Sequence, residues 1–191
     1  MKTKNLNWWN SLSQQWQRAF STVVLNKKET EEPTETEIED ILNLKVLRIV
    51  GPQGPYANFT EELSDLSGLS DLKHLEILIF TFHKIKGLRE LEYHKKLQKL
   101  YVNNNEIESL AGIENLANLE ELYCHINSIS DLKPLENLLN LSDLYCSDNK
   151  IDAFNGLSEK QTKLKVVHAM PNTNIGPKQI RQLEDLNIFC K

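Results

Sequence analysis

Cys124 and His125 stand side by side in the stretch LYCHINSISDL (122–132), a thiol beside an imidazole, and the pairing raises cysteine-nucleophile chemistry. That chemistry requires the imidazole to reach the sulfur. In a strand, neighbouring side chains leave on opposite faces and the two groups cannot meet. Cys124 and Cys146 then read as small buried hydrophobes. The histidines, at 74, 83, 94, 125 and 168, show no metal-ligand spacing with cysteine or acid. Neither a phosphate-cradling glycine loop nor a Gly-x-Ser-x-Gly elbow occurs, and the chain has only seven glycines from which to build catalytic loops. The expectation is a protein that is not an enzyme and uses neither metal nor cofactor. What stands out instead is aromatic: Tyr101, Tyr123 and Tyr145 recur every 22 residues.

The spacing of those tyrosines belongs to a repeat. Leucines at positions 1, 4 and 7 of a unit are followed by an apolar residue at 9, Asn at 12 and Ile at 14. Two copies fit without exception: Leu116, Leu119, Leu122, Cys124, Asn127 and Ile129, then Leu138, Leu141, Leu144, Cys146, Asn149 and Ile151. The copy before them begins on His94 and runs to Asn105 and Ile107; an earlier one begins on Leu72 and places His83 at position 12. A worn fifth copy carries Leu164, Val167, Ala169 and Asn172, and an irregular one with Ile41, Leu44, Leu47 and Ile49 precedes them all. Positions 7 and 9 lie two apart, so in a strand they share a face that must be buried, while position 8 faces solvent. An amide at position 12 can donate to and accept from backbone where the chain turns, so Asn105, Asn127, Asn149 and Asn172 are expected to form a structural column.

The segment LENLLNLSDLYCSDNKIDAFNGL (135–157) and its counterparts resemble the leucine-rich repeat family, in the 22-residue type of internalins and SDS22-like proteins, over roughly residues 63–175. The resemblance implies an α/β fold: a short curved solenoid with a parallel β-sheet on its concave face. Two departures stand out. His83 replaces the first Asn, and secretion and wall-anchoring signals of the internalin kind are not seen.

An open stack exposes its core at both ends and needs caps, which predicts helical caps at 1–43 and 176–191 around a solenoid at 44–175. Trp9, Leu12, Trp16, Phe20 and Val23 fall on one face of an amphipathic helix. Its polar face is glutamine and serine, which suits a cap better than a membrane-surface helix. Residues 29–40 hold seven acids and no base, and Thr34 with Glu37 has capping-box spacing for a short helix beyond. Gly176-Pro177 reads as a second helix start, with Ile180 and Leu183 on one face and a last strand in NIFC (187–190).

Strands in a sheet lie about 4.8 Å apart, so position 8 would line up Ile79, Tyr101, Tyr123, Tyr145 and His168 as a ladder. Asn103 and His125 lie beside it at position 10 and Phe82 at position 11; the loop GPQGPYANFT (51–60) reads either as an ordinary irregular turn or as one that hangs Tyr56 and Phe59 over the near end of the ladder. Tyrosine offers contact area at low entropic cost, so this is the expected face for a protein or peptide partner. Cross-strand aromatic pairs also stabilise a sheet, and duplication copies a tyrosine without any partner. The alternatives are a peripheral membrane adaptor held by the tryptophan helix, and, as the SDS22-like resemblance permits, a phosphatase regulatory subunit. A net charge of −5 without a basic stripe argues against nucleic acid. Few, odd-numbered cysteines and the lack of a visible signal peptide lead to a cytoplasmic expectation.

Overall fold

A computed structural model of the chain describes residues 2–28, 30–172 and 174–191, with side chains from Lys4 onward. Seven strands form one sheet whose spatial order is their chain order. They are β1 (Val46–Val50), β2 (Ile77–Thr81), β3 (Lys99–Tyr101), β4 (Glu121–Tyr123), β5 (Asp143–Tyr145), β6 (Val166–His168) and β7 (Phe189–Cys190), and every neighbouring pair is parallel. The register follows the repeat, with Leu47, Leu78, Leu100, Leu122, Leu144 and Val167 side by side. These side chains, with the leucines at positions 1 and 4, fill a continuous interior. His94 sits there too, and its Nε2 lies 3.0 Å from the Leu69 carbonyl, so one of its two ring nitrogens is paired in an apolar column.

Position 12 closes each coil. Asn127 donates to the carbonyls of Val102 (3.0 Å) and Cys124 (3.0 Å) and accepts from the Ile107 amide (2.9 Å). Asn149 repeats this one coil on, donating to Cys124 (3.0 Å) and Cys146 (3.1 Å) and accepting from Ile129 (2.9 Å). Asn105 and Asn172 bond in the same way. Each amide thus staples its own coil to the preceding one and pairs backbone groups that would otherwise be orphaned. At His83 only the accepting half is matched within hydrogen-bond distance: Nδ1 takes the Leu63 amide at 3.2 Å. Burial drives the His83 pKa down to about 4.

The N-terminal cap is broken where one continuous helix was expected. Helix α1 (Lys2–Ser11) stops, Ser13 accepts from the Trp16 amide, and α2 (Gln14–Ala19) restarts before a π-helical turn at Phe20–Val24. A serine at an N-cap competes for backbone donors and favours this interruption. All three tryptophans are buried. Trp16 stacks on Phe80 of the first regular coil with ring centres 5.7 Å apart, and its indole N–H donates to Asp65. A Cβ on Gly68 would stand 2.2 Å from the Trp16 ring, so glycine is what lets the indole seat. Helix α3 (Glu35–Leu42) starts at the Thr34–Glu37 capping box and buries Ile38 and Ile41. At the far end α4 (Pro177–Asp185) buries Leu183 and leads into β7.

Loop 51–60 closes the free edge of β1. The Asn58 amide accepts from Val50 N (2.7 Å) and donates to the Arg48 carbonyl (2.8 Å), which copies the pairing of a further strand and blunts an aggregation-prone edge.

Candidate functional site

Position 8 of every coil opens on the exposed face of the sheet, where the register places Arg48, Ile79, Tyr101, Tyr123, Tyr145 and His168 in one row. The tyrosines touch one another. Tyr101 meets Tyr123 edge to face with centres 4.7 Å apart, Tyr123 meets Tyr145 at 4.1 Å, and Tyr145 lies parallel to His168 at 4.0 Å with 4° between the planes. Rings packed this closely spend their faces on each other and present edges and hydroxyls to solvent.

The row below was not singled out from the sequence, although position 6 lies two residues before position 8 and must share its face. Lys99, Glu121 and Asp143 stand there on adjacent strands. Glu121 receives Lys99 Nζ at 2.5 Å on one oxygen and the Tyr101 hydroxyl on the other. Burial alone would raise the Glu121 pKa, but the two donors outweigh it and hold the carboxyl below its usual range. Burial, followed by the bond to Glu121, pushes the Tyr101 phenol well up. Burial and a hydrogen bond with Tyr145 push Tyr123 up to about 12. Tyr101 and Tyr123 therefore keep their protons in the physiological range, with the Tyr101 proton committed to Glu121.

The remaining sequence candidates divide. Asn103 and His125 lie half-buried at position 10, the latter 6.5 Å from Tyr123, and burial lowers the His125 pKa against the pull of Asp148. Phe82 does not stand beside the tyrosines. Its backbone is left-handed (φ 60°), and its ring packs over Gly54, where an added Cβ would come within 2.7 Å of a ring carbon. Phe59 does not hang over the concave face; it is only 5% exposed and belongs to the core, because apolar residues after a loop are drawn under the first coil. Tyr56 is 91% exposed, and its carbonyl accepts from Arg48, which ties it to the near end of the position-8 row.

Position 11 carries the turn out of each strand, with φ of 55° at Asn104, 55° at Ile126 and 52° at Asp148. Asn and Asp tolerate that region; a β-branched residue does not, and Ile126 sits in it while 46% exposed. Cys124 and Cys146 are buried free thiols behind this face, and burial pushes Cys124 up to about 12. Among the described residues no group of three or more His, Cys, Asp or Glu side chains could hold a metal ion, and no helix is long and apolar enough to cross a membrane.

Sheet, leucine interior and asparagine column together define a leucine-rich repeat solenoid. The family pattern described as Leucine Rich repeats (2 copies) matches residues 95–137 and 117–159. Residues 95–159 thus carry leucine-rich repeats, and the parallel sheet continues their register on both sides. The fold of the chain is similar to that of an internalin, InlF, from Listeria monocytogenes str. 4b F2365 (TM-score 0.63, 20% identity), covering 93% of this chain and 54% of that one. Internalin C2 from the same strain gives a TM-score of 0.60 at 20% identity over 92% of this chain and 81% of the other. The functional domain of InlJ from Listeria monocytogenes, described as including a cysteine ladder, gives 0.52 at 23% identity over 66% and 25%. The chain thus spans about half the length of the first of these structures. No curated protein matches it in sequence.

Proposed function

We propose that the chain is a non-catalytic recognition module that binds a partner protein on the exposed face of its sheet, with Tyr101, Tyr123 and Tyr145 as anchors. The observation that carries this reading is the ladder itself: three tyrosines and His168 held in contact on a rigid parallel sheet. Ring contacts fix the rotamers before any partner arrives, so little side-chain entropy remains to be lost on binding. Ile126 supports the same reading. A β-branched residue kept exposed and left-handed costs the fold on the order of 1 kcal/mol without burying apolar surface, as happens at binding sites.

The test is affinity capture from native lysate, wild type beside a Tyr101→Ser/Tyr123→Ser/Tyr145→Ser variant matched by thermal unfolding. A protein held by the wild type and released by the folded variant supports the reading. Equal retention by both contradicts it and moves recognition off the ladder.

A further inference from the structure

Chemistry around the ladder is one-sided. Over positions 5 to 11 of the four coils that carry the ring row the charged residues are two bases, Lys99 and Lys165, and four acids, Glu120, Glu121, Asp143 and Asp148. Glu121 takes up Lys99. Asp143 and Asp148 are exposed, flank Tyr145 in its own coil, and form no ion pair among the described residues. Burial lowers the pKa of His125 next to them, so it offers them no charge at neutral pH.

The hydrogen-bonding inventory points the same way. Tyr101 has spent its proton on Glu121, which leaves lone pairs toward solvent, and the exposed carboxylates of Asp143 and Asp148 only accept. A face of acceptors and negative charge is complementary to side chains that only donate and are positive, namely lysine and arginine. Aromatic edges carry the positive end of the ring quadrupole, so a cation gains more at the flanking carboxylates than at the rings. Nucleic acid would be repelled.

We propose, resting on the concave-face reading above, that the partner presents an extended cationic segment, with Lys or Arg side chains seated at Asp143 and Asp148 to either side of Tyr145. The four-ring row spans roughly 14 Å, the length of about four extended residues, so a short segment covers it.

The probe is a fluorescein-labelled peptide of repeating Gly-Ser-Lys, with a Gly-Ser-Glu peptide as counterpart, followed by anisotropy against the full chain. The expected result is binding of the lysine peptide alone, weakening as salt rises from about 50 to about 300 mM. Asp143→Asn/Asp148→Asn should weaken it roughly tenfold, as two lost rim pairs imply. Glu39→Gln/Asp40→Asn, which removes the same charge from exposed positions of α3, should leave it unchanged. Failure of the lysine peptide to bind the wild type, or equal loss in both double variants, overturns the cationic reading. The two readings fail separately. A lysate partner lost by the tyrosine variant but kept by Asp143→Asn/Asp148→Asn sinks the charge proposal and leaves the concave face standing; a partner kept by both sinks both.

Discussion

Replacing Asn149 by alanine tests the asparagine column where it is most enclosed, since the side chain is 6% exposed. Four contacts are lost, but they are not equal. The Cys124 carbonyl keeps its bond from Asn127, and the Cys146 carbonyl keeps that from Asn172. The Ile129 amide has no such second partner: its bond at 2.9 Å goes to Asn149 Oδ1, and alanine leaves it buried and unpaired. The Ser147 carbonyl likewise keeps its bond from the Ile126 amide, so orphaning one buried N–H costs about 1–3 kcal/mol and the three donor bonds removed from still-paired carbonyls about 0.5 kcal/mol each, for a total of about 2.5–4.5 kcal/mol. Against the 5–15 kcal/mol typical of a domain this is a large share. Urea unfolding should show a lower midpoint at an unchanged slope. Asn105→Ala, at a half-buried site, should cost less. Asn149→Asp keeps the acceptor for Ile129 but buries a charge against carbonyls, so at pH 7 it should be worse than alanine and should recover toward pH 5 as the carboxyl protonates. A loss below about 1 kcal/mol for Asn149→Ala, with the slope unchanged, would refute the claim that this column holds the coils together.

Three further outcomes are expected. His83 has a folded pKa of about 4 against an unfolded value near 6.5, so the unfolded chain binds the extra proton between those values. Stability should fall as pH drops through that window, and His83→Asn should remove about 3 kcal/mol of the loss between pH 7 and pH 4, read by urea midpoints at each pH. Ile126→Asn should stabilise the fold by about 1 kcal/mol in thermal unfolding, since asparagine tolerates a φ near 55°, and should weaken partner binding. Thiol labelling of the native protein should modify the half-buried Cys190 first and reach Cys124 and Cys146 only on unfolding, because the buried thiols are held protonated; three equally fast thiols would contradict the packing.

Period 22 was legible because each coil repeats the same burial demand, and the side-chain alternation of a strand places position 8 outward once positions 7 and 9 are inward. The tyrosine row therefore follows from spacing alone. Other features depend on contacts that spacing does not encode. Phe59 resembles any loop aromatic until the first coil is folded beneath it. Asn58 guards the edge of β1 through a side chain whose partners, Arg48 and Val50, lie across a turn of irregular length. The interruption of the N-terminal helix at Ser13 competes with an apolar periodicity that runs straight through it. Lys99, Glu121 and Asp143 were open to discovery from the period of two, but a repeat read through its leucines draws the eye to residues around position 8 and away from the charged residue at position 6.

The most direct test of recognition by the concave face is photocrosslinking with benzoylphenylalanine placed at Tyr123 on the ladder or at Tyr93, which is exposed outside the strands. A discrete adduct from position 123 and none from 93 is the predicted result. An adduct from 93 with none from 123 would place recognition elsewhere on the solenoid and contradict it.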